Sequence, residues 1–245
     1  MSDWLIARPV AHRGLHNAAA SVVENTPSAF LAAIAGNYAI ECDLQITAEG
    51  EAMVHHDDEL GRLTEGTGRL VAMTAAELKR VPFKATQDRM LTLGELCELV
   101  SGQVTLLLEL KSRFDGDQRL ANRAAKVLAG YKGPVAVMSF DPNPIAVIKD
   151  LAPALTRGLV AQRSDRAAHG DHDTSAAHGM GYAMQVLAAR LHFLAYRVKD
   201  LPSAAPLFAH SVLRLPLLTW TVRTVEDRAR AARWADQIIF EGFRP

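Results

Sequence analysis

The chain has 245 residues, 49% of them hydrophobic, with 27 basic and 27 acidic side chains; that length suits one large domain with a well-buried core, and the charge balance gives no electrostatic reason to expect nucleic acid or an anionic membrane as partner. Two cysteines, Cys42 and Cys97, are too few for a disulfide framework and point to a reducing compartment. No stretch approaches the ~18 uninterrupted apolar residues of a membrane span, and Met1 to Arg8 lacks the basic start and long apolar core of a signal peptide, so a soluble cytoplasmic protein without stable membrane association is expected.

Pro9-Val10-Ala11-His12 reads as a short buried strand ending at a histidine, and Gly14 opens a loop. Pro27 to Gly36 is helical, with proline in the first turn, Phe30, Leu31 and Ile34 on one face and glycine as the stop. Tyr38 to Ile46 is a strand in which Glu41 and Asp43, two apart, point to the same side, while Cys42 and Leu44 face covering helices. Glu49-Gly50 turns the chain, and Ala52 to His56 returns as a short strand. Periodicity is weak from Asp57 to Met90. Loops around a short helix near Ala75 to Arg80 read as a small insertion within one domain covering residues 1–245.

Leu93 to Val100 is a helix, and Val104 to Lys111 is a continuous apolar strand that ends in Glu109 and Lys111. The second half repeats strand and helix. The predicted strands are Val135–Phe140, Thr156–Ala161, His192–Tyr196, Leu217–Thr221 and Gln237–Phe240; the helices are Pro144–Leu151, Met180–Arg190, Ser203–Ser211 and Val225–Trp234, with a polar loop at Ser164–His178. About eight alternating units imply a parallel sheet closed into an α/β barrel of the (β/α)₈ (TIM) class. A doubly wound open sheet is the alternative, but it calls for a glycine-rich turn after the first strand, which is absent.

In such barrels the chemistry sits where strands meet the loops that follow them. Those ends carry His12, Glu41 with Asp43, Glu109 with Lys111, Ser139, Gln162, Tyr196, Trp220 and Glu241. Buried carboxylates need a cation. One hard divalent ion, Ca²⁺ or Mg²⁺, fits Glu41, Asp43 and Glu109 as oxygen ligands better than zinc does. Arg13 and Lys111 add positive charge suited to phosphate, and two histidines near it supply a proton donor and acceptor.

The ordered set His12-Arg13-Gly14, Glu24-Asn25-Thr26, Glu41-x-Asp43, Thr47-x-x-Gly50, His56-Asp57 with Leu60 and Arg62, Glu109-x-Lys111, Ser139-Phe140 and Trp220-Thr221-Val222 resembles the glycerophosphodiester phosphodiesterases along nearly the whole chain. The resemblance implies a TIM barrel with a small insertion after the second strand, here Asp57 to Met90, and Ca²⁺- or Mg²⁺-dependent hydrolysis of glycerophosphodiesters to sn-glycerol 3-phosphate and an alcohol. It implies Glu41, Asp43 and Glu109 as metal ligands, and His12 and His56 as the acid/base pair, read as acid and base respectively. Arg13 and Lys111 become phosphate contacts, Glu24 a substrate-site residue that supports the first loop and the metal shell, and Trp220 a pocket wall. Val23, Arg223 and Glu241 depart from the family's usual residues, and the last two bear on which leaving group fits. The competing expectations are a phospholipase D-like enzyme acting on intact phospholipid and a non-catalytic phosphodiester-binding barrel. His55, His16, the histidines at 169, 172 and 178, and Cys42 read as structural or loop residues, and Arg228, Arg230 and Arg233 as a solvated helix face.

Overall fold

Two-residue alternation along the strands sets what faces inward and what faces the helices. The computed structural model describes residues 3–163 and 189–245. Its strands are β1 (Val10–Ala11), β2 (Ala39–Ile46), β3 (Ala52–Val54), β4 (Leu106–Leu110), β5 (Val135–Ser139), β6 (Thr156–Ala161), β7 (Phe193–Arg197), β8 (Leu217–Val222) and β9 (Gln237–Phe240). β1 pairs in parallel with both β2 and β9, which closes the eight parallel strands into the expected barrel; β3 alone runs antiparallel, along β2.

The inward residues near the strand starts are apolar, and Val10, Ala39, Leu107, Phe193, Leu218 and Ile239 form one interior cluster with Leu5. The 3-10 turn Asp3–Leu5 closes that end of the barrel, and Gln237 Nε2 donates to the Ile6 carbonyl at 2.8 Å beside it. Two residues further along the same faces come His12, Glu41, Glu109, Trp220 and Glu241, with Asp43 two beyond Glu41. The outward set, including Ile40, Cys42, Leu44, Leu106, Leu108 and Leu110, packs against the helices.

Those helices are α1 (Pro27–Ala35), α2 (Ala75–Leu78), α3 (Leu93–Val100), α4 (Arg119–Leu128), α5 (Pro142–Leu151), α6 (Ala204–Ser211) and α7 (Val225–Trp234). Thr74, Thr92 and Thr224 start α2, α3 and α7 with capping boxes, each accepting from the backbone N–H three residues on. α5 begins two residues before the sequence reading because Asp141 accepts from the Asn143 N–H at 2.9 Å and caps it there. α4 forms where the sequence reading assigns no helix. Its buried stripe of Leu120, Ala121, Ala124, Ala125 and Leu128 alternates at helical spacing with Arg119, Asn122 and Lys126 on the exposed side, a strongly amphipathic pattern that the sequence reading passes over.

The segment after β3 keeps its own small apolar cluster, in which Leu60, Leu70, Leu78, Phe83 and Met90 pack with Met53 and Val23. His55 is buried there, its ring 6.3 Å from that of Phe83, just past the end of β3 at Val54, whereas His56 lines a cavity. The predicted loop Ser164–His178, with its three histidines, and nearly all of the predicted helix Met180–Arg190 lie outside the described residues. Among the described residues no helix is long and apolar enough to cross a membrane.

Gly14 joins the first strand to α1. It has φ +79°, and a Cβ there would stand 2.9 Å from the Ala29 backbone. Gly14→Ala is expected to destabilise the fold by about 1–3 kcal/mol, the usual cost of forcing extra volume into a packed site. A urea midpoint equal to wild type would show that this close approach can relax.

Candidate active site

Sheet register brings the acids together. β2 and β4 are aligned so that Asp43 is the direct partner of Glu109 and Glu41 of Leu107. Glu41, Asp43 and Glu109 are 1%, 1% and 8% exposed. Each offers a carboxylate oxygen within 4.8 Å of the other two. Burial, reinforced by the like charges of Asp43 and Glu109, pushes the Glu41 carboxyl well above its usual range. Burial likewise raises Glu109 despite Lys111 beside it. For Asp43, burial is outweighed by Lys111 and then Arg13, which hold the group ionised well below the usual carboxylate range. Three close, buried, all-oxygen donors with two reluctant to ionise unaided are a donor set that fits a hard divalent cation.

The cations are set by backbone geometry. Arg13 lies in the left-handed region at φ +55°. Its N–H donates to Glu41 Oε2 at 2.9 Å, its Nε lies 3.3 Å from Asp43 Oδ2, and its Nη1 donates to Glu24 Oε1 at 2.7 Å. Lys111 Nζ lies 2.7 Å from Asp43 Oδ1 and 2.5 Å from Glu109 Oε1. Burial works against the Lys111 charge, yet Asp43 and Glu109 hold its pKa above the ordinary lysine value.

Both histidines line the cavity that Glu41 and Glu109 also line. His12 Nδ1 is 2.8 Å from Glu241 Oε2, and its Nε2 is 3.9 Å from Glu41 Oε2. His56 Nδ1 is 2.8 Å from Asp57 Oδ1. Burial lowers both imidazoles below the ordinary histidine value, against the pull of Glu241 on His12 and of Asp43 on His56. Glu241, bonded to His12 and Arg223, is held down to about 2 against partial burial.

His12, Arg13, Glu41, His56, Glu109, Lys111 and Trp220 all line one cavity of about 260 Å³ at the C-terminal ends of the strands. Trp220 packs edge-on against Phe140 with ring centroids 5.5 Å apart and donates from Nε1 to the Ala195 carbonyl at 3.2 Å. Glu24 does not line the cavity; its carboxylate lies behind Arg13, joined to Arg13 and to Arg62 Nη2 at 2.7 Å each. Ser139 and Tyr196 do not line it either. The Ser139 hydroxyl donates to the Leu110 carbonyl at 2.7 Å, and Tyr196 packs in an apolar cluster with Leu159, Leu194, Leu201 and Leu217.

Sequence reasoning gave no role to Asn25, Asp57 and Arg62 and gave Glu241 a bearing only on the leaving group, yet all four shape the site. Asn25 donates from Nδ2 to Asp43 Oδ2 at 2.8 Å, and Asp57, Glu241 and Arg62 hold other site groups. Asn25, Asp57 and Arg62 stood inside motifs already singled out, and Glu241 at a strand end. Position alone could flag them; only contact says what each one touches.

A family model described as the glycerophosphoryl diester phosphodiesterase family matches residues 12–242. A glycerophosphodiester phosphodiesterase of Caldanaerobacter subterraneus is 31% identical over 163 residues, 62% of this chain. The chain spans 66% of that relative's length, just under two thirds. Human glycerophosphodiester phosphodiesterase 1 is 25% identical over 90% of this chain and 73% of its own. Among solved structures, an Oleispira antarctica phosphodiesterase in complex with the product sn-glycerol-3-phosphate superimposes with a TM-score of 0.77 at 21% identity, over 95% of this chain and 91% of that one. A glycerophosphodiester phosphodiesterase from Thermotoga maritima gives 0.70 at 22% identity, over 95% and 94%. With the matched span running from His12 through the last strand, this chain belongs to the glycerophosphoryl diester phosphodiesterase family.

Proposed function

We propose that this protein hydrolyses glycerophosphodiesters to sn-glycerol 3-phosphate and an alcohol, with a divalent cation, Ca²⁺ or Mg²⁺, held by Glu41, Asp43 and Glu109. The observation that carries this reading is one small cavity lined by two imidazoles from separate strands beside the acidic trio. The product bound to the Oleispira antarctica relative supports the substrate class.

Charge decides what such a cavity attracts. Three carboxylates against Arg13 and Lys111 leave one negative charge. A divalent ion turns that into one positive charge, matched to the single negative charge of a phosphodiester. When bound, the ion supplies Lewis-acid polarisation of a phosphoryl oxygen. The protein's own groups do the rest. Arg13 and Lys111 orient the phosphate, and Trp220 walls the cavity. One histidine takes a proton from the attacking hydroxyl, of glycerol or of water, and the other gives a proton to the departing alkoxide; where glycerol attacks, water then opens the resulting cyclic phosphate to glycerol 3-phosphate. Glu24 acts through Arg13, which it holds in place.

The test is an assay of glycerophosphocholine, glycerophosphoethanolamine and an intact phospholipid vesicle, each with Ca²⁺, Mg²⁺ or chelator. Ion-dependent release of glycerol phosphate from the first two is expected. Release of phosphatidic acid from the vesicle instead supports the phospholipase D-like reading, and turnover that a chelator leaves unchanged removes the ion from the scheme.

Ion binding also has a thermal signature. The raised Glu41 and Glu109 carboxyls bind protons in the folded state that the unfolded chain has released, so each costs the ion-free fold stability as pH rises from its ordinary value of 4.5 through its raised folded value. A cation replaces those protons. Tm is therefore expected to rise with added Ca²⁺ or Mg²⁺, and by more at pH 7.5 than at pH 5. An equal rise at both pH values, or none, counts against these two acids as ligands.

A further inference from the structure

Each histidine at the cavity has the same construction behind it. His56 Nδ1 meets Asp57 at 2.8 Å, and Arg62 holds that carboxylate from Nε at 2.6 Å. His12 Nδ1 meets Glu241 Oε2 at 2.8 Å, and Arg223 Nη2 donates to the same oxygen at 2.8 Å. The first set is local in sequence. The second joins the first strand's end to the last two strands, 229 residues apart between His12 and Glu241.

We propose that Glu241 is a positioning residue for His12, held in place by Arg223, and that it fixes which imidazole nitrogen serves the reaction; this rests on the phosphodiesterase reading above. An ionised carboxylate only accepts hydrogen bonds. The proton of neutral His12 must then sit on Nδ1, which leaves Nε2 bare toward the cavity, where it lies 3.9 Å from Glu41 Oε2. The bond also sets the ring's rotation. When His12 carries a second proton, Glu241 offsets its charge, as the buried acid does for the histidine of a Ser-His-Asp triad. Arg223 is needed because Glu241 is only partly buried, its side chain 24% exposed, and can otherwise swing to solvent. The guanidinium occupies one acceptor site of Oε2 and leaves a second on the same oxygen to the His12 Nδ1–H.

The experiment uses the whole protein with its ion. Glu241→Ala is expected to lower kcat about 10- to 100-fold, the usual effect of losing a partner that orients a functional histidine, with KM little changed. Glu241→Gln, which keeps an accepting oxygen, recovers part of that loss, and Arg223→Ala gives a smaller loss of the same kind. In a His12→Ala background, Glu241→Ala has no further effect. ¹⁵N histidine spectra, with His12 assigned from His12→Ala, show the Nδ1–H tautomer in wild type and lose it in Glu241→Ala. A wild-type Nε2–H tautomer, a kcat for Glu241→Ala near wild type, or a full additional loss in the His12→Ala background overturns the proposal. Because the spectra need no turnover, a tautomer that depends on Glu241 in a protein that cleaves no glycerophosphodiester supports the positioning role while refuting the proposed reaction.

Discussion

Asp43→Ala is expected to abolish turnover and to lower stability by about 3 kcal/mol, the lower end of the range for removing one partner of a buried ion pair. Asp43 is almost fully buried, 2.7 Å from Lys111 Nζ and 3.3 Å from Arg13 Nε, and it accepts from the Asn25 side chain at 2.8 Å. The alanine leaves two cations and an amide facing a hole. The lower end applies because the loss also relieves repulsion: among neighbouring charges, that of Asp43 does most to raise Glu41. Urea unfolding measures the stability change. A loss well under 1 kcal/mol would mean that Glu41 and Glu109 recruit Lys111 and Arg13 without Asp43, and that the acids are not the tightly coupled unit that a single bound ion requires. Asp43→Asn separates the two effects, since it keeps the shape and a bond to Asn25 while removing the charge. Its stability should lie between alanine and wild type, and its activity should be lost with the ion.

His12→Ala and His56→Ala are each expected to lower kcat by about 10²- to 10⁴-fold, the span of general acid–base catalysis, while leaving the urea midpoint close to wild type. Neither side chain is fully buried, at 12% and 32% exposed, and neither belongs to an apolar cluster that holds the barrel together. The activity loss should therefore come without unfolding, which is the reverse of the Gly14 variant. Activated esters with good leaving groups distinguish the two histidines. The variant that has lost the proton donor recovers most on such a substrate, because a stable alkoxide needs no proton. If both variants turn over near wild type on every substrate, the two imidazoles are bystanders and the acid–base scheme fails.

Much of the fold was legible because the strands alternate cleanly. Glu41, Asp43, Glu109 and His12 follow apolar inward positions by two or four residues, so their shared side could be read without coordinates. α3, β6, α7 and β9 match the sequence reading residue for residue. α4 was equally legible, with Leu120, Ala121, Ala124, Ala125 and Leu128 on one face and Arg119, Asn122 and Lys126 on the other, yet the sequence reading assigns no helix there. Ser139 and Tyr196 stood at strand ends and looked like site residues. A strand end faces the cavity only if the alternation has the right parity, and that parity follows from register, which depends on the neighbouring strands.

The linear chain was enough to read the barrel and the acidic trio, from strand period, helix caps and the cost of burying a charge without a partner, while the pairing of His12 with His56 came from the resemblance to a family. Arg223 was visible only as a departure bearing on the leaving group, and Glu241 as such a departure at a strand end. Folding decided that they bond to each other and to His12, and that Arg62 ties Glu24 to Asp57. The reason is closure. β1 hydrogen-bonds to both β2 and β9, so the first and last strands become neighbours, and no local pattern encodes which side chains meet across that seam.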